Sequence, residues 1–156
     1  MIRLTKNFPL QEMIASDTAR RLNISNEPNR RVLLNLMRLT SCLEVVREAV
    51  AFRKGYICPI IVTSGYRSPE LNKAIGGSRT SAHCLGLAAD LRCPQITPFE
   101  LATIIAGTIN NYDQVILEFD SWVHLGLRAS SNPRMQKLTA VKRNGKTHYK
   151  SGLHHA

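Results

Sequence analysis

No apolar run in this chain approaches the roughly 18 to 20 residues that cross a bilayer. The opening stretch MIRLTKNF, residues 1 to 8, has no uninterrupted apolar core followed by a small-residue cleavage site. Both absences predict a soluble product, made and kept in the cytoplasm unless another system carries it out. Acidic residues are also scarce: 11 Asp and Glu stand against 21 Lys and Arg, a formal net charge of +10. That imbalance predicts attraction to polyanions such as nucleic acid, anionic lipid or an anionic cell-wall polymer. No recognition helix and no alternation of aromatic and basic residues is visible, so nucleic acid is not the expected partner.

Paired cysteine motifs are missing as well. Cys42, Cys58, Cys84 and Cys93 form no CxxC and no framework spacing, and a chain of 156 residues does not need disulfide staples. Free thiols in a reducing compartment are expected. Aromatic residues make up only 6%, but apolar residues reach 44%, enough for a sizeable core. No internal repeat or low-complexity tract interrupts the chain, so one monomeric domain spanning 1–156 is expected. Its parts are a helical portion over 1–56, a core over 57–127 and a basic arm over 128–156.

Periodicity divides that length into elements. Residues 10–23, LQEMIASDTARRLN, predict two short helices or one broken one, with Ser16 or Asp17 as a cap. After Pro28, apolar positions from Val32 to Val50 recur every three or four residues and stop near Gly55, predicting a long helix. Residues 57–63 (ICPIIVT) read as a buried strand, Pro69 as the start of a short helix and 86–91 as a second strand. Thr97 caps a further helix with Pro98 in its first turn and Glu100 three residues after the cap. Residues 115–119 and 122–127 form two more strand candidates joined through Asp120 and Ser121, and Asn144-Gly145 predicts a type I′ turn in the basic arm. That arm has too little apolar content to fold alone and is expected to add to a sheet edge. Helices first and strands later predict an α+β fold with a small, mostly antiparallel sheet.

The stretch TSAHCLGLAADL, residues 80–91, carries the chemistry. A catalytic zinc takes three ligands from His, Asp, Glu and Cys and keeps one position for water. His83 and Asp90, seven residues apart, can meet round one ion if the loop folds back across the strand, with His124 as the third ligand. The spacing permits such a site without demanding it. A histidine in a glycine-rich turn is ordinarily a surface or hydrogen-bonded residue, and Asp90 could simply end a strand. A thiol pair of Cys84 with His83 or His124 is disfavoured, because adjacent residues of an extended segment point to opposite sides.

Ser81-x-His83-x-x-Gly86-x-Ala88-x-Asp90 has the SxHxxGxAxD pattern of the zinc peptidases that cut peptidoglycan peptides. That group contains D-alanyl-D-alanine carboxypeptidases, D-alanyl-D-alanine dipeptidase and many phage endolysins. Residues 61–69 (IVTSGYRSP) resemble the strand and arginine turn upstream of the pattern, and Trp122-Val123-His124-Leu125 resembles the family's terminal W-x-H block. The KNF opening and the basic tail hairpin are similar to members carried by phages and prophages, and the site architecture resembles the zinc fold of hedgehog signalling domains.

The resemblance implies Zn2+ held by His83, Asp90 and His124, with Ser81 supporting a ligand or its loop. It implies that the ion polarises the scissile carbonyl and acidifies its bound water. Arg67 matches the family's arginine, an anchor for substrate carboxylate or carbonyl groups; a salt bridge under the turn is the competing role, and Ser64 and Tyr66 flank it. For the general base, the dipeptidase branch has glutamate three residues before the last ligand, where this chain has Ser121. Glu118, six before His124, matches the hedgehog-type spacing and is favoured over Asp120, a turn residue. Trp122 stands where some members carry a second histidine. The expected activity is hydrolysis of peptidoglycan peptide stems by a phage or prophage lytic enzyme, reaching the wall from the host cytoplasm and attracted to its anionic polymers or to outer-membrane lipid. The alternative is a non-catalytic zinc-containing binding or virion structural protein of the same fold.

Overall fold

The computed structural model describes residues 2–155. The chain opens with two short helices, α1 (Leu10–Ile14) and α2 (Asp17–Leu22), the second capped by Ser16, whose side chain accepts from the Ala19 amide. The long helix α3 (Arg30–Lys54) starts at an Asn29 cap and ends where Gly55 turns left-handed. Its buried positions, among them Val32, Leu36, Leu39, Leu43, Val46 and Val50, are the periodic apolar residues seen in the sequence. Helices α4 (Pro69–Ala74) and α5 (Pro98–Thr108) begin at Ser68 and Thr97, each accepting a backbone N–H from three residues on and each followed by proline.

Strands β1 (Ile61–Ser64), β2 (Ala88–Arg92), β3 (Tyr112–Glu118), β4 (Trp122–Leu127), β5 (Gln136–Arg143) and β6 (Lys146–Ser151) form one sheet in the order β1-β2-β4-β3-β5-β6. Neighbouring strands run antiparallel except β3 and β5, which are parallel. The fold is therefore α+β with a mixed, mostly antiparallel sheet. One face of the sheet presents Ala89, Leu91, Val115, Leu117, Val123 and Leu125 to a core shared with α3 and α5. The other face is open around the strand centres. Among the described residues no helix is long and apolar enough to cross a membrane, and the four cysteines are unpaired.

Three local expectations change. The strand expected over 57–63 begins only at Ile61, because Pro59 offers no N–H and the partner strand β2 ends at Arg92, opposite Ile61. The stretch before β2 is not a plain loop: residues Ala82–Leu85 form a 3₁₀ turn that Gly86 closes at φ +68. The β3–β4 turn carries its positive φ values at Phe119 and Asp120, and the Ser121 amide donates to the Glu118 carbonyl.

The basic arm folds as the Asn144-Gly145 pair requires. Both residues have positive φ (50 and 75), Arg143 pairs with Lys146, and the hairpin adds β5 to the free edge of β3.

Candidate metal centre

Two irregularities of the sheet prepare the open face. Between Val62 and Ser64 the pairing of β1 with β2 slips by one residue, so Ser64 stands opposite Asp90 instead of following Val62 into the core. Between Tyr112 and Gln114 the pairing of β3 with β4 slips likewise, leaving Asp113 as the extra residue. Strict alternation would send Asp113 inward with Val115 and Leu117; the bulge sends Tyr112 into the core and Asp113 to the open side. Ser64, Asp90, His124 and Ile116 then lie side by side across four strands.

His83 arrives from the 3₁₀ turn. Its Nδ1 is 2.7 Å from the Gly65 carbonyl oxygen, which can only accept, so the ring proton sits on Nδ1 and Nε2 carries a lone pair. That Nε2 lies 3.3 Å from Asp90 Oδ1 and 3.3 Å from His124 Nδ1, while His124 Nδ1 lies 3.0 Å from Asp90 Oδ1. Burial lowers the pKa of His83 below the ordinary histidine value, keeping the ring neutral. Burial alone would raise Asp90, but its contacts with the ring nitrogens of His124 first and His83 second outweigh it and hold the carboxyl well below the usual range. An ionised carboxylate oxygen and imidazole nitrogens thus point into one closed triangle, the kind of donor set that a cation takes.

The triangle fits zinc. Ligands about 2.0 to 2.1 Å from a tetrahedral ion stand about 3.3 Å apart, matching the separations of these three atoms. The groups behind the ligands fit too. The Gly65 carbonyl orients His83, and Arg67 Nη2 donates to the other oxygen of Asp90 at 2.8 Å, while Arg67 Nε donates to Ser64 Oγ at 2.9 Å. Gly65 must be glycine, because a Cβ there would stand 2.3 Å from the Met13 carbonyl oxygen. Gly86 must be glycine for its positive φ and because a Cβ would press Val32 on α3.

The three groups open onto a cavity of about 670 Å³. Of the residues singled out in the sequence, Arg67, Ser81, Glu118 and Trp122 line it with the triad. Ser81 stands at the start of the 3₁₀ turn, where its backbone carbonyl, not its side chain, accepts from the Cys84 amide. Ser64 stands behind Arg67. Tyr66 is buried among core residues and Asp120 is exposed on the turn, both outside the cavity lining. Burial first, and the nearby Asp90 charge second, raise the pKa of Glu118 above the ordinary glutamate value.

The sequence reading missed Asp113, Gln114, Arg128, Arg134 and Tyr149, which also line the cavity. For Tyr149 a signal existed. Counting outward from Asn144-Gly145 pairs it with Ala140, which pairs with Glu118, so the three residues share a face. For Asp113 no signal existed, because its place depends on the bulge.

A family model described as Peptidase M15 matches residues 6–126. No curated protein matches the chain.

Proposed function

The chain belongs to the peptidase M15 family, and from that membership together with the triad we propose that it is a zinc metallopeptidase acting on the peptide stems of bacterial peptidoglycan. The observation that carries this reading is the closed triangle of His83 Nε2, Asp90 Oδ1 and His124 Nδ1 at the floor of the cavity. When bound, zinc supplies Lewis acidity toward a peptide carbonyl and lowers the pKa of coordinated water.

The remaining work falls to side chains of this chain. Glu118 takes the proton of the attacking water and returns it to the leaving amine, a task suited to a carboxylate whose proton affinity burial has increased. Asp113 is no rival, because two arginines hold its charge. Arg67 acts first as a positioning residue. Its contact with Asp90 Oδ2 fixes the carboxylate so that Oδ1 faces the histidines, and its place in the cavity lining leaves it beside the substrate. Trp122 contributes an apolar wall, set edge-on against Phe119 with ring centroids 5.5 Å apart. In this reading the β3–β4 turn positions Glu118 and Trp122 as a pair, since the two face each other across its base.

The biological setting we attach to this chemistry is a phage or prophage lytic enzyme, made in the host cytoplasm and released to the wall. A net charge of +10 supports it, because wall polymers are anionic. Metal analysis of the purified protein tests the centre: about one zinc per chain is expected, lost in His83→Ala. A metal-free protein with all three ligands intact would remove the reading.

A further inference from the structure

The far end of the cavity is walled by Asp113 together with Arg128 and Arg134, two arginines beyond the span that matches the family model, and its chemistry differs from that of the triad. Asp113, turned outward by the bulge in β3, is 9% exposed and receives two arginines. Arg134 Nη2 lies 2.6 Å from Oδ2, Arg134 Nε 3.0 Å from Oδ2 and 3.2 Å from Oδ1, and the Arg134 amide donates to Oδ1 at 3.0 Å. Arg128 Nη1 stands 3.3 Å from Oδ1, its Nε donates to Ser130 Oγ at 3.1 Å, and its carbonyl accepts from Arg38 Nη1 at 2.7 Å. Two guanidinium groups on one carboxylate leave a surplus of one positive charge. Arg128 Nη2 and Arg134 Nη1 take part in none of these contacts. Both arginine side chains are roughly half exposed, at 43% and 49%, and both line the cavity.

We propose that Arg128 and Arg134 form an anion subsite that receives a carboxylate of the substrate peptide, an inference that rests on the peptidase reading and narrows its substrate class. Asp113 is the positioning residue. It fixes the planes of both guanidinium groups while cancelling only half of their charge, so each keeps donors for a ligand. Position along β3 sets the spacing. Ile116 faces His124, Asp113 lies three residues earlier, and about 3.4 Å per strand residue gives about 10 Å between triad and subsite. An extended peptide advances about 3.3 to 3.6 Å per residue, so the carboxylate received lies about three residues from the bond at the metal. The preferred substrate is therefore a stem peptide with a free internal carboxylate, as opposed to one whose internal carboxylates are amidated.

The chain holds one tryptophan, Trp122, and it lines this cavity, so its fluorescence reports binding without reference to turnover. Full-length protein carrying Glu118→Gln, used so that hydrolysis does not deplete the ligand, is titrated with two probes. One is a synthetic stem pentapeptide with free internal carboxylates; the other is the same peptide with those carboxylates amidated. The free form is expected to bind about tenfold more tightly, as one charge-assisted contact of about 1.4 kcal/mol allows. Arg134→Gln and Arg128→Gln should each shrink that difference while leaving the amidated peptide unaffected. Arg128→Gln keeps the Arg134–Asp113 pair, so it remains informative if Arg134→Gln fails to fold. Equal binding of the two peptides by the unsubstituted arginine pair overturns the subsite, as does an equal loss for both peptides in the arginine variants, which would leave Asp113 merely fastening the 128–135 segment. Discrimination in binding with no hydrolysis of stems by the wild-type chain supports the subsite and removes the peptidase reading alone.

Discussion

Peptide hydrolysis needs a carboxylate that is ionised when water attacks and protonated when the amine departs, and Glu118 is the cavity carboxylate free for that role. Asp90 is committed to the triad and Arg67, and Asp113 to Arg128 and Arg134. Glu118→Gln should keep one zinc and lower hydrolysis by about 10² to 10⁴, the usual worth of a general base; metal analysis and initial rates on the same preparation check both halves. Because burial and the Asp90 charge raise the Glu118 pKa, the Glu118 carboxyl of the zinc-free protein should titrate above the ordinary glutamate value, and zinc, by covering the Asp90 charge, should move that titration downward. Carboxyl NMR titrations with and without zinc check both; a Glu118 titration at or below the ordinary value in the zinc-free protein would contradict this assignment.

Asp113 supplies a second residue-scale test, with the opposite sign of shift. The arginine hydrogen bonds lower its pKa from 3.8 to about 2, so its contribution to stability is present above 3.8 and disappears as pH falls toward 2. Comparing thermal unfolding of Asp113→Asn with the wild type, the gap should be widest near neutrality and close over that interval. A gap independent of pH would mean that shape, not charge, holds the 128–135 segment.

At the scale of elements, the site depends on two bulges and one 3₁₀ turn. The helices and the hairpins were legible in the sequence because each is fixed locally: Ser16 and Thr97 cap their helices, Pro28 and Pro69 mark the starts of two more, and Asn144-Gly145 occupies a turn needing positive φ. His83, Asp90, His124 and Arg67 were legible through the family pattern and Glu118 through the hedgehog-type spacing, although strand alternation alone did not bring them together. Asp113 was not legible, because alternation assigns it to the core and only the slipped pairing between Tyr112 and Gln114 reverses that. The late start of β1 was equally hidden, since it follows from where β2 ends.

Gly86 shows how the turn and the long helix cooperate. Its left-handed φ lets the chain leave the 3₁₀ turn, and its missing Cβ lets the turn rest on Val32. Gly86→Ala should therefore cost at least about 1 kcal/mol from the left-handed backbone alone and weaken zinc binding by displacing His83. Thermal unfolding with and without zinc measures both effects. Unchanged unfolding would mean that α3 yields to the added methyl group.

For the whole molecule, charge and sheet extension act together. The tail hairpin covers the edge of β3 that would otherwise be open, and it carries Tyr149 over Ala140 to the cavity. Much of the excess positive charge is exposed, so the attachment to anionic wall polymers that we propose should be mainly electrostatic. Raising salt from about 0.1 to 1 M shortens the screening length from about 10 to 3 Å and should release the protein from purified walls in a sedimentation assay. Retention insensitive to salt would point to contacts in the cavity as the main attachment.

The central claim is that the triad and Glu118 together cut peptidoglycan stems. Purified peptidoglycan digested with the zinc-loaded protein, followed by mass spectrometry of the released fragments, tests it most directly. The expected result is a single class of new peptide termini, absent after chelation, restored by zinc, and absent in His83→Ala and Glu118→Gln. No new termini from a preparation holding one zinc per chain would contradict it.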